Sequence, residues 1–272
     1  MEQTLKFICE TLMQKGVTVN RPGLMHGKMG IAIFYFHYAH FTGDTLFENY
    51  AMELIESLQE QISQNHVFDY AEGLAGIGAG IEYLAQNKFV EVDTNEVLRD
   101  YDLLIFHDTV YGDHSDVTLL SGLSGTGRYL LFRITDIDCN SIHIPTLNNK
   151  MLLIHITDNF ERKLPALKAH ELEDVYNFLY AMNQANIYPA KTKRLLKFFS
   201  SDNSLPNKET IIHQSQRKIE MLYGEKINGL SSGNQENILS RYGLGLYGGL
   251  AGLGLYLLSK LDKRHETWTK LL

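Results

Sequence analysis

Apolar residues recur along this chain with helical spacing, and the alternation of a half-buried strand is rare. Residues 3–15 place Leu5, Ile8, Cys9 and Leu12 on one face, which predicts an amphipathic helix ending at Gly16. Residues 17–25 read as a loop broken by Pro22-Gly23. The run from Gly27 to His40 is apolar nearly all round. After a turn at Thr42-Gly43-Asp44 comes a helix with Leu46, Tyr50, Leu54 and Leu58 on one side. The alternation then repeats. Residues 74–86 are apolar on all sides, the mark of a helix enclosed by protein. Asp93 with Glu96 predicts a capped start for a polar-faced helix to Phe106. His107 to Asp116 reads as a loop and residues 123–134 as another enclosed helix. Pro145 opens a helix through Arg162, with Leu152, Leu153, Ile156 and Phe160 inward. Helices follow over Glu171–Gln184, Lys191–Ser200 and Lys208–Leu222. A polar loop spans Gly224–Asn237, and the last helix runs from Gly249 to Lys260.

Each enclosed helix except Glu171–Gln184 opens on a pair of glycines three apart: Gly27/Gly30, Gly73/Gly76, Gly122/Gly125 and Gly249/Gly252. The first three pairs are spaced by roughly fifty residues, room for two helices and their connections. Glycine costs about 1 kcal/mol against alanine inside a helix, so repeated pairs imply a compensating need. The bare stripe lets backbones approach closely, or leaves room for a ligand at the helix mouth. Stacked hairpins bury a continuous core, as an open solenoid or a closed ring. No linker interrupts the alternation. The expectation is therefore one all-α domain over residues 1–272, an α/α toroid of five or six hairpins.

The formal net charge of −7 argues against a nucleic-acid partner, because phosphate binding needs a basic surface. Two cysteines, Cys9 and Cys139, make no disulfide framework and suit a reducing compartment, so a cytoplasmic location is expected. The start of the chain has no signal-peptide pattern, and no apolar run reaches the roughly 20 residues of a membrane span.

The four glycine segments, Gly23–Ile31, Gly73–Ile77, Gly122–Gly127 and Gly249–Gly254, resemble those of the lanthionine synthetase C-like proteins, the lantibiotic cyclases and their relatives. His26-Gly27 matches a His-Gly that opens a repeat in that family, and Asp69–Ile77 looks like its second repeat. The resemblance covers residues 22–260. It implies an α/α toroid with a central cavity, a role in lantibiotic biosynthesis or other peptide modification, and a precursor peptide or peptide-modifying enzymes as partners. Cyclases of this family hold zinc through two cysteines and a histidine, and the metal ionises a peptide thiol that adds to a dehydrated Ser or Thr. This sequence lacks the family's Cys-His-Gly. Met25-His26-Gly27 has no cysteine, and the last repeat offers Tyr247-Gly248-Gly249. No metal ligand carries over, no cofactor is expected, and the resemblance implies a peptide-binding pseudoenzyme.

The candidate site gathers before the paired glycines. His26, Glu72, Ser121 and Gly248 hold the equivalent position and are expected to ring one opening. Helix N-termini there should present unpaired N–H groups to an acidic or carboxyl-bearing ligand. Tyr247 lines the same opening, and Arg21 or Arg241 pairs with the acids. Asp69 and Glu72 are the candidate catalytic pair. They read either as a glycosidase-like acid and base in a metal-independent toroid enzyme, or as helix-start acids stabilised by the dipole. His26 reads as a cavity donor or as a loop hydrogen bond. Asp113, His114 and Asp116 have ligand-capable side chains at the loose spacing of a solvated loop. A purely structural or regulatory module is the third reading.

Overall fold

The computed structural model describes residues 1–62, 67–134, 144–201, 219–224, 227 and 242–272. Among them no strand occurs, and the fold is all-α. The chain divides into two compact units. The first comprises Met1–Val67, Ala71–Gly80 and Arg217–Leu272, and the second Phe68–Tyr70 and Ile81–Gln216.

In the first unit, α1 (Glu2–Gly16) buries Leu5, Ile8, Cys9 and Leu12, as its spacing predicts. Helix α2 (Lys28–Thr42) is buried continuously from Lys28 to Ala39. Helix α3 (Thr45–Ile62) packs along it through Ala51, Leu54 and Leu58. Leu46 does not share that face and stays exposed. Its neighbour Phe47 turns inward instead, edge-on to Tyr38 and stacked on Tyr35. Helix α4 (Leu74–Gln86) begins in this unit, where Met29 fills the space over Gly80.

Helix α11 (Leu250–Leu261) is buried from Leu250 to Leu258 and packs against α2. The ring of Phe34 lies where a side chain at Gly254 would stand, so this glycine admits an aromatic ring to the helix backbone. A 3₁₀ helix over Lys263–Leu271 follows. Its residues three apart eclipse one another, and the eclipsed face of His265, Trp268 and Leu271 is buried. Asp262 opens it by accepting from the Arg264 amide at 2.9 Å.

His265 meets His37 of α2 with 2.9 Å between their Nδ1 atoms, so one ring donates and the other accepts. Burial, with His265 and His40 nearby, pushes His37 down to about 3, and burial also lowers His265. Below the ordinary histidine value of 6.5 the unfolded chain takes up protons that the folded chain refuses. Stability is therefore complete above that value and falls as pH drops toward about 3, by at most about 1.4 kcal/mol per pH unit for each histidine. Urea midpoints measured across this range should fall with pH, and His37→Gln should flatten the slope. An unchanged slope would place the acid sensitivity elsewhere.

The second unit holds the rest of α4, then α5 (Thr94–Val97), α6 (Arg99–Tyr111), α7 (Leu123–Ile134), α8 (Ile144–Lys163), α9 (Ala169–Gln184) and α10 (Pro189–Ser201). Asp93 caps α5 as its sequence predicts, accepting from Asn95 at 2.9 Å. The expected single helix breaks at Leu98 and resumes as α6, which runs through Tyr111, so residues 107–111 are helical rather than loop. Leu152, Leu153, Ile156 and Phe160 of α8 are buried as expected. The ring of Phe178 in α9 lies over Gly127 of α7, as Phe34 lies over Gly254.

A buried ionic cluster ties α4, α5, α6 and α7 together. Arg133 donates to Glu82 at 2.9 Å, to Asp102 at 2.8 Å, and to Thr94 and Asn95 at 3.2 Å. Tyr129 donates to the same Asp102 at 2.5 Å. The predicted helix Lys208–Leu222 and the loop Gly224–Asn237 lie largely outside the described residues, as does Cys139.

Candidate functional site

Each glycine pair sits where a loop folds back over the start of its own helix. The first helical N–H of each repeat donates to a carbonyl seven residues back: Lys28 to Arg21 at 2.9 Å, Leu74 to Val67 at 2.8 Å, Leu123 to Asp116 at 3.2 Å and Leu250 to Gly243 at 2.8 Å. The next N–H does the same in three repeats: Met29 to Pro22, Ser124 to Val117 and Ala251 to Leu244. The donors expected to await a ligand are therefore already taken, because the loop itself supplies the N-terminal cap. The same loop explains the glycines. A Cβ at the second glycine would collide with a loop carbonyl: Leu24 for Gly30, Leu119 for Gly125 and Leu246 for Gly252. A Cβ at Gly27, Gly122 or Gly249 would strike the loop backbone as well. Of the two uses open to the bare stripe, close backbone approach is the one present.

Successive loops are also bonded to one another. In the first unit Tyr247 donates to Met25 and Met25 to Ala71, both at 2.9 Å, so the last repeat adjoins the first and the first adjoins the second. In the second unit Tyr70 donates to Leu120 at 3.1 Å. Gly23 and Gly245, both four residues before a paired glycine, let the loops touch. A Cβ at Gly23 would hit the backbone of Ala71 and Glu72, and one at Gly245 that of Met25 and His26. This recurrence was the available sequence signal for the loop band.

The band buries Met25 and Ala71. His26, after Met25, is exposed, whereas Glu72, after Ala71, is half-buried with both carboxylate oxygens shielded from solvent. Gly248 is half-buried, in a left-handed backbone (φ 63°) that favours glycine. The structure brings together the expected pair of Arg21 and Glu72, and two residues expected at one opening, His26 and Tyr247. Arg21 Nη1 lies 3.8 Å from Glu72 Oε1, and the rings of His26 and Tyr247 meet edge-on at 6.3 Å. The guanidinium is 70% exposed, so the ion pair contributes at most about 1 kcal/mol and remains open to exchange for a ligand. In the second unit Ser121 is exposed and Asp69 half-buried. Arg241 lies outside the described residues.

Among the described residues the donors do not form a zinc site. Cys9 is buried between helices, and burial raises its thiol to about 11, so it stays protonated. Among the described residues no three His, Cys, Asp or Glu side chains are placed to share a metal. His114 and Asp116 build their own loop instead. His114 Nε2 lies 2.7 Å from the Asp108 carbonyl, and Asp116 accepts from the Thr118 amide at 2.7 Å. No helix of the described residues is long and apolar enough to cross a membrane.

Comparison with curated proteins gives no match. Residues 18–180, more than half of the chain, match the family model of the lanthionine synthetase C-like proteins. The match takes in the first three glycine repeats and the loops bearing Arg21, His26, Asp69, Glu72 and Ser121. The family has an α/α-toroid fold and acts on peptides. On this match, the chain belongs to the lanthionine synthetase C-like family.

Proposed function

We propose that this chain binds a peptide at its glycine loops and does not cyclise it through zinc. The observation that carries the reading is the loop band. The first amides of its helices are bonded to the loops themselves, while Arg21, His26 and Tyr247 supply the recognition groups, with Glu72 beside Arg21 as its counter-ion. Arg21, held by Glu72, offers its charge to a peptide carboxylate, and the His26–Tyr247 pair offers an aromatic surface. Without thiolate donors the family's metal-activated thiol addition has no support from these residues. A precursor peptide is the ligand in this reading, with peptide-modifying enzymes as further partners. The buried, reduced Cys9 suits the cytoplasm.

The test uses a cysteine-containing peptide that carries dehydroalanine. The protein should bind it and form no thioether with or without added zinc, and elemental analysis should find no stoichiometric metal. Glu72→Gln should weaken binding several-fold and leave the melting temperature nearly unchanged. One zinc per chain together with ring formation would overturn the proposal. A large stability loss with unaltered binding would make Glu72 a structural helix-start residue.

A further inference from the structure

The second unit carries a basic face that the loop site does not use. From Asn186 to Ser201 the chain has no acidic residue, while α10 supplies Lys191, Lys193, Arg194 and Lys197. One face of α10 packs inward through Thr192, Leu195 and Phe199. Lys191 is neutralised by α8, at 2.7 Å from Asp158 and 2.5 Å from Glu161. The opposite face exposes Lys193, Arg194, Lys197 and Phe198, which lie side by side at helical spacing. Arg194 pairs with Glu161, and among the described residues neither Lys193 nor Lys197 forms an ion pair. Phe198 leans on Phe199 with ring centroids 5.9 Å apart, yet stays 41% exposed.

We infer that this face of α10 docks an acidic segment of a partner protein or peptide. The segment's carboxylates would meet Lys193, Arg194 and Lys197, and one apolar side chain would cover Phe198. Charge complementarity selects this occupant over two others. A membrane-surface helix buries its apolar face in lipid, but the apolar face of α10 is already packed within the protein. Three cations on a chain of net charge −7 are also too few to hold an anionic bilayer or a nucleic acid. The inference is independent of the peptide reading of the glycine loops.

The experiment follows fluorescence anisotropy of a labelled Glu-Glu-Leu repeat peptide with the full chain, beside a Lys-Lys-Leu peptide and phosphatidylserine vesicles. The acidic peptide alone should bind, and added salt should weaken it steeply. The double variant Lys193→Glu/Lys197→Glu should bind about tenfold more weakly, with an unchanged circular dichroism spectrum. Phe198→Ala should weaken binding while keeping the salt dependence. Equal binding of both peptides, undiminished binding by the double variant, or binding to vesicles but not to the peptide would each overturn the assignment.

Discussion

Replacing Arg133 with methionine should cost about 3–5 kcal/mol, a large share of the roughly 5–15 kcal/mol that ordinarily holds a domain folded. Glu82 and Asp102 converge on this guanidinium, and Arg133 and Glu82 are almost wholly buried. Methionine keeps much of the side-chain volume, so packing loss is a minor part of the effect. The larger part is charge: two carboxylates remain in a poorly solvated place with no cation between them. Neutralising one of them in the same chain, Glu82→Gln with Arg133→Met, should recover part of the lost stability. The check is the urea midpoint of each variant. A double variant no more stable than Arg133→Met would move the cost from unpaired charge to packing.

Gly252→Ala should be the next most damaging change, at about 3 kcal/mol or more. Its Cβ would occupy the place of the Leu246 carbonyl oxygen and press on the Tyr223 hydroxyl. That hydroxyl donates to the same carbonyl at 2.5 Å and accepts from the Gly248 amide at 3.1 Å. One methyl group therefore disturbs the loop, its tyrosine tie and the cap on α11 together. Gly243→Ala is the control, because nothing stands within 4 Å of its Cβ. It should be neutral, or stabilise by about 0.4–1 kcal/mol through the unfolded chain. Thermal melts of the two variants separate the readings. Equal, small losses would show that the loop yields and that the glycine pairs are not required by close packing.

The helices were legible because periodicity is local. Helices α1, α2, α4, α7, α8, α9 and α11 fall close to where the apolar spacing puts them. The break at Leu98 was not legible, since no proline or glycine marks it and the residues on both sides favour helix. Leu46 and Phe47 show the same limit: both are apolar, and only the neighbouring rings decide which turns inward. The Arg133 cluster joins residues 31 to 51 positions apart, a distance at which a charged residue on an apolar helix looks like a solvated one. At the candidate site the glycine repeat led to the Arg21–Glu72 pairing that the structure contains. It also suggested open amide donors, because the backbone route of a loop leaves no mark in residue type unless Gly23 and Gly245 are read as contacts.

The junction of the last repeat with the first sets an order of events during synthesis. His37 waits for His265, which follows it by 228 residues, and the Phe34 ring waits for Gly254. A ribosome adding about 5–20 residues per second leaves these groups without these distant partners for many seconds. Helix α2 emerges with apolar side chains on every side, and although α3 follows at once to cover part of it, the cover from α11 is translated only later. Such long-range closure slows folding and favours capture by chaperones before α11 is made. The nascent protein is thus most exposed to aggregation at the helix that the finished protein buries most thoroughly.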